Sequence, residues 1–321
     1  MSRPAILVTR RLPPEVEARL GERFDASLNP DDTPPGPTAL RRALSRYDGI
    51  LCTVTDRIDA ELLSVEPLRA RILANFGVGY EHIDVDAARA RGIIVTNTPG
   101  VLTAATADLA IMLMLMAARR AGEGERELRD GRWAGWRPTH MIGRPVAGRT
   151  LGIIGMGRIG SAVAHRASRG FAMRVLYCTR SAPRDAPAGA ESVTLDALLQ
   201  SSDVVSIHCP ATPETRRLID DDRLRRMRPH AVLVNTARGE IVDEAALAAA
   251  LRDGVIGAAG LDVYEREPAV HPDLLRLENV VLLPHLGSAT TEARVAMGLR
   301  AVENLRAYFA GEAVSDPVRA R

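Results

Sequence analysis

Short apolar runs separated by helical patterns organise this chain from its start. Ala5–Thr9 is an apolar run closing on a polar residue, the form of a buried parallel strand. Gly49–Val54, Arg71–Asn75 and Gly92–Val95 repeat that form, with helical spacing in Pro14–Arg23 and Val85–Arg91. Asn29–Pro37, rich in Pro, Asp and Gly, is a loop. Thr96–Gly100 breaks the pattern as a hinge, and Thr103–Arg119 follows as a long helix. Its apolar stretch, Leu109–Ala118, is shorter than the roughly 20 residues a bilayer span needs, so it reads as a core helix. After a polar stretch, Gly122–Gly148, a second series begins at Thr150. Its predicted strands are Leu151–Ile154, Arg174–Tyr177, Val204–His208, Ala231–Asn235, Gly257–Leu261 and Val280–Leu283. Six strands with intervening helices match a complete dinucleotide-binding fold. The tail, Glu292–Phe309, is helical and is expected to return to the first domain.

Composition narrows the function. A chain of 321 residues suits two domains. Forty-two basic residues face 40 acidic ones, so no global field points to nucleic acid. Every basic residue is arginine, which excludes Schiff-base lysine chemistry and any lysine-dependent phosphate loop. Cys52, Cys178 and Cys209 lack the spacing of a disulfide framework or zinc site. Met112, Met114 and Met116 alternate within a helix and read as packing, not as a metal site. With no signal-peptide pattern, a reducing cytoplasm is the expected compartment, without a membrane partner.

The first sharp motif is Gly155-Met156-Gly157-Arg158-Ile159-Gly160, which follows an apolar strand and opens a helix-like segment, Ile159–Arg169. Gly155 permits a tight turn, Gly157 permits close approach of a pyrophosphate, and Gly160 lets helix and strand close. The helix N-terminus offers free N–H groups to the anion. An NAD site wants a carboxylate about 20 residues on, for the ribose 2′-hydroxyl. None occurs in Tyr177-Cys178-Thr179-Arg180-Ser181. Arg180 suits a 2′-phosphate, with Thr179 and Ser181 as further donors, so NADP(H) is predicted over NAD(H). The bland alternative is a solvated loop arginine.

Hydride transfer from a nicotinamide to a carbonyl requires a general acid, a group that keeps that acid charged and, where the substrate is itself an acid, a cation for its carboxylate. Three strand-end segments could supply them: Asn235-Thr-Ala-Arg238-Gly239, Asp262-Val-Tyr-Glu265-Arg-Glu267-Pro268 and Pro284-His285-Leu-Gly287-Ser288. Together with Asn75-Phe-Gly77-Val-Gly79, Thr96-Asn-Thr-Pro99 and Ala105-Thr106-Ala-Asp108, these segments make the chain resemble the D-isomer-specific 2-hydroxyacid dehydrogenase family over nearly its whole length. Leu51-Cys52, Trp136-Arg137-Pro138, Tyr177–Arg180 and Gly287-Ser288-Ala289-Thr290 place it nearest the glyoxylate/hydroxypyruvate reductases.

That resemblance implies an α/β architecture of two doubly wound parallel sheets. A Rossmann-type cofactor domain, 100–286, would be inserted in a flavodoxin-like substrate domain, 1–99 plus 287–321. It implies that Arg238 clamps the substrate carboxylate and that His285 donates the proton. Glu267 would pair with His285 and raise its pKa. N–H groups of Val78 and Gly79 would assist with the carboxylate, and Ser288 with a hydroxylated substrate. Thr106, Pro210, Thr215, Thr236, Ala237 and Gly287 would line the cofactor, and Asp262 would accept from the nicotinamide amide. Trp136 would reach the partner's substrate pocket from an arm of a homodimer. Alternatives remain for several of these: Arg238 paired with Glu240 or Asp243, His285 as a core histidine, Asp262 as a helix cap, Trp133 and Trp136 as local packing. At the level of function, the alternatives are D-lactate or phosphonate dehydrogenase, or a nucleotide-sensing corepressor-like protein on the same scaffold. His208 reads as structural.

Overall fold

The computed structural model describes residues 3–180, 183 and 185–319. Two compact units divide it, 1–102 with 289–321, and 103–288.

In the first unit the chain runs β1 (Ala5–Val8), α1 (Pro14–Arg23), β2 (Asp25–Ser27), α2 (Pro37–Arg46), β3 (Gly49–Cys52), α3 (Ala60–Leu63), β4 (Ile72–Asn75), α4 (Val85–Ala90) and β5 (Ile94–Thr96). All pairings are parallel, in the order β2-β1-β3-β4-β5, the flavodoxin-like arrangement. β3 and β4 are buried at every position, which is why they read as continuous apolar runs. β2 is an edge strand that the hydrophobic pattern does not reveal. Its three residues, Asp25, Ala26 and Ser27, carry no apolar run and are partly or fully exposed.

The second unit opens with α5 (Thr103–Ala118) and α6 (Ala121–Arg129). There follow β6 (Thr150–Ile154), α7 (Arg158–Phe171), β7 (Arg174–Cys178), β8 (Glu191–Ser192), α8 (Leu195–Ser201), β9 (Val204–Ile207), α9 (Asp221–Arg226), β10 (Val232–Asn235), α10 (Glu244–Arg252), β11 (Ala258–Leu261) and β12 (Val280–Leu282). Its sheet is parallel, ordered β12-β11-β10-β9-β6-β7-β8, with the direction of strand addition reversing between β6 and β9. The sequence predicts six strands here and the described residues form seven. The extra strand, β8, is two exposed residues at the sheet edge, Glu191 and Ser192.

Side chains alternate between two cores, one on each face. Leu151, Ile153, Val232 and Val234 join α5 and α7, whereas Ile154, Leu233 and Leu261 join α8, α9 and α10. Met114 is buried and Met116 packs on the same core, while Met112 is 39% exposed. No helix among the described residues is long and apolar enough to cross a membrane. The last helix, α11 (Thr291–Phe309), belongs to the first unit and lies close on α1, where a Cβ at Gly298 would meet Val16 at 2.4 Å.

Candidate active site

The loop between β6 and α7 is shaped by its three glycines. Gly155 has φ +96°, and a Cβ there would lie 2.5 Å from the Cys209 backbone N. A Cβ at Gly160 would lie 2.2 Å from the Gly155 carbonyl oxygen, so helix and turn touch directly. Gly157 differs. A Cβ there meets no protein atom within 4 Å, so the fold itself leaves open space in front of this backbone. Gly157 caps α7 without a side-chain hydrogen bond, leaving first-turn N–H groups for an anion. The residues present therefore fit a dinucleotide pyrophosphate. Gly157→Ala is expected to keep the wild-type melting temperature and to weaken NADPH binding at least about tenfold, read by nicotinamide fluorescence titration. A lowered melting temperature with unchanged affinity would contradict this.

Asn235, the last residue of β10, is buried and staples the turn that carries Arg238. Its Nδ2 donates to the Arg238 carbonyl at 2.9 Å, and its Oδ1 accepts from Ala237 N at 3.0 Å. Arg238 Nη1 donates to the Ala237 carbonyl at 2.6 Å. Thr236 is buried, with a hydroxyl that has no partner, an orphan polar group where a cofactor contact is expected. Asp243 caps α10 and lies 3.4 Å from Arg217 Nη1.

Beyond β12, His285 takes a left-handed backbone, φ +55°. That turn is held by Asp262, which is fully buried at the end of β11. The Asp262 carbonyl accepts from His285 N at 2.9 Å. Its carboxylate accepts from Leu286 N at 2.6 Å and Gly287 N at 2.8 Å. Asp262 thus braces the His285 turn rather than capping a helix. Burial raises its pKa against the pull of those two N–H groups and the His285 charge. Thr106 donates to the Gly287 carbonyl at 2.9 Å, tying the same turn to α5.

His285 Nδ1 lies 2.8 Å from Glu267 Oε2. A carboxylate only accepts, so Nδ1 donates and Nε2 is the nitrogen left for chemistry. Burial pushes the Glu267 pKa up, but the hydrogen bond and charge of His285, the Tyr264 N–H and the charge of Arg238 outweigh it and bring it below the ordinary value. Glu267 is therefore ionised at neutral pH, bonded to the imidazole of His285 and acted on by the charge of the Arg238 guanidinium at the strand ends of this sheet.

Comparison with known proteins gives the family. Residues 111–287 match the D-isomer specific 2-hydroxyacid dehydrogenase, NAD binding domain family. The chain belongs to the D-isomer-specific 2-hydroxyacid dehydrogenases. A glyoxylate reductase of Korarchaeum cryptofilum is 48% identical to it, over 97% of this chain and 94% of that protein. A protein of Thermus thermophilus superposes with TM-score 0.90 at 44% identity, covering 98% and 100% of the two chains. An NADPH-dependent glyoxylate/hydroxypyruvate reductase of Sinorhizobium meliloti, solved with NADP and malonate, superposes at 0.88 with 38% identity, covering 100% and 99%.

Other positions predicted for this 2-hydroxyacid dehydrogenase fall as follows. Thr179 and Arg180 follow β7, and the Arg180 charge reaches Cys209. Ser181 lies outside the described residues. The Thr215 hydroxyl is engaged within its own loop, donating to the Pro210 carbonyl at 2.8 Å and accepting from Thr212 N at 2.8 Å. In the other unit, Asn75 Nδ2 donates to the carbonyls of Gly77 and Gly79, and Asn97 Nδ2 to that of Val78. Those bonds occupy carbonyls only. Among the described residues the N–H groups of Val78 and Gly79 have no acceptor. His208 donates or accepts at 2.8 Å with Ser206 Oγ, and burial takes its pKa down to about 3, so it is neutral. Trp136 is 82% exposed.

Sequence reasoning misses two residues that shape the site. The Tyr264 hydroxyl donates to the Leu283 carbonyl at 2.8 Å, joining the Glu267 loop to the strand end that carries His285. Glu244 reaches the same loop from α10. The only sequence signals for them are a tyrosine inside the acidic Asp262–Glu267 run and an acid directly after a helix cap.

Proposed function

We propose that the chain reduces a small 2-oxo acid, glyoxylate or hydroxypyruvate, to the 2-hydroxy acid with NADPH. The 2.8 Å contact between His285 Nδ1 and Glu267 Oε2, beside the charge of Arg238, carries this reading. The bound nicotinamide supplies the hydride. Arg238 binds the carboxylate of the substrate and polarises its carbonyl. His285 gives the Nε2 proton to the developing alkoxide, and Glu267 stabilises the imidazolium before transfer. Val78 and Gly79 offer two N–H donors of the kind a carboxylate takes, and Ser288 a hydroxyl. Asp262, Thr236, Ala237, Thr106, Pro210 and Gly287 are assigned to the nicotinamide half of the cofactor; Thr215 supports Pro210 from behind. Segment 128–142 exposes Leu128, Trp133, Trp136 and Ile142 and is assigned to a homodimer contact.

The preference for NADPH rests on Arg180 and on the absence of an acid in Tyr177–Arg180. Steady-state oxidation of NADPH and NADH with glyoxylate, hydroxypyruvate, pyruvate and phenylpyruvate tests both parts. The expected result is the highest kcat/KM with the two smallest hydrophilic acids and with NADPH, the cofactor preference falling at least about tenfold in Arg180→Ala. Equal or better use of NADH by the wild type would overturn the cofactor assignment, and turnover with none of the four acids would overturn the substrate class.

A further inference from the structure

Glu244 is 5% exposed at the start of α10, yet it is not the cap of that helix, a role that Asp243 fills by accepting from Ala246 N at 3.1 Å. Its Oε1 accepts instead from Glu265 N at 2.6 Å, and the backbone N–H of His271 draws electrostatically on the same carboxylate. Those two amides stand on either side of Glu267. Burial raises the Glu244 pKa, and the two amides draw it back. Arg217 closes the loop from outside, donating to Glu265 Oε1 at 2.9 Å. On the inner side, Tyr264 N donates to Glu267 Oε1 at 3.0 Å, which leaves Oε2 for His285. Burying a carboxylate is costly unless a donor meets it, and here the donor within hydrogen-bond distance, Glu265 N, comes from the catalytic loop.

We infer that Glu244 is a positioning residue for the acid–base pair: it holds the 265–271 segment at Glu265 N, two residues before Glu267, so that Glu267 Oε2 stays on His285 Nδ1. The inference rests on the roles given above to Glu267 and His285. It differs from a general contribution to folding because its effect on rate must pass through Glu267.

A double-mutant cycle on the full-length enzyme separates the two. Glu244→Gln keeps the size of the side chain but replaces the charged acceptor of the Glu265 N–H by a weaker neutral one and turns the other oxygen into a donor. The expected result is a fall in kcat of about tenfold, with the NADPH dissociation constant unchanged, because the Gly155–Gly160 loop is untouched. In a Glu267→Gln background the same change is expected to cost less than about twofold more. A tenfold loss in both backgrounds, or a wild-type rate in Glu244→Gln alone, would overturn the positioning role while leaving the acid–base reading intact. A wild-type rate in Glu267→Gln alone would remove that reading and this inference together. If Glu244→Gln does not fold, Glu244→Asp, which withdraws the carboxylate by one methylene, takes its place in the cycle with the same criteria.

Discussion

Replacing His285 by asparagine is expected to lower kcat for 2-oxo acid reduction by about 100-fold or more. The loss follows from the proposed function, in which Nε2 of His285 gives the proton, since Nδ1 is committed to Glu267 at 2.8 Å. Asparagine is the cleaner substitution because His285 sits at φ +55°, a left-handed conformation that Asn tolerates better than Ala. The turn itself is held by backbone groups on Asp262, so it survives the change. NADPH affinity and melting temperature should then stay near wild type while turnover collapses. The pH profile carries a second signature. Glu267 has its pKa lowered in the fold, so its stabilising contribution is present above the ordinary value of 4.5 and is lost only as pH falls through the lower folded value. Reduction by the wild type is therefore expected to show no loss from Glu267 protonation between pH 7 and 5. An asparagine variant within about threefold of wild-type kcat would remove His285 from the chemistry.

The sequence shows the skeleton of this site more readily than its bracing. Fully buried strands such as Val232–Asn235 read as apolar runs because both faces are covered, and the turns just beyond them hold Arg238 and His285. The glycine loop is legible because its spacing encodes a backbone shape. Edge strands such as Asp25–Ser27 and Glu191–Ser192 leave no trace, since their few residues face solvent and pair on one side only. The roles of Glu244 and Tyr264 are hidden for a different reason. Each acts on a main-chain group distant in sequence, at Glu265 and His271 for one and at Leu283 for the other, and no residue pattern records which amide or carbonyl a side chain will meet. Asp262 is an intermediate case. Its place at the end of β11 is evident from the sequence, but its bracing of Leu286 and Gly287 emerges only from the fold.

Gly239→Ala is the substitution expected to damage both stability and rate most among those outside the acid–base pair. A Cβ at Gly239 would fall 1.8 Å from the Tyr264 carbonyl carbon, 2.1 Å from its oxygen and 2.3 Å from Glu265 N. All three are backbone atoms, so no change of rotamer relieves the clash. Overpacking of this kind costs about 1–3 kcal/mol even where side chains can yield, and a peptide plane yields less. The peptide in the way is the one gripped by Glu244 at Glu265 N, tied to Glu267 through Tyr264 N and to Leu283 through the Tyr264 hydroxyl. To make room it has to move by about 1 Å or more, carrying Glu267 away from His285 while Arg238, on the glycine's other side, stays with β10. A displacement of that size is worth about 100-fold in rate. The folded fraction of the alanine variant, isolated by size exclusion and assayed with saturating NADPH, should therefore show a melting temperature lowered by several degrees and kcat lowered by about two orders of magnitude. Serine, with the same Cβ, should behave as alanine does. A variant with wild-type turnover and stability would mean that the 264–271 loop slides freely past β10, and that the close approach at Gly239 does not set the geometry of the catalytic groups.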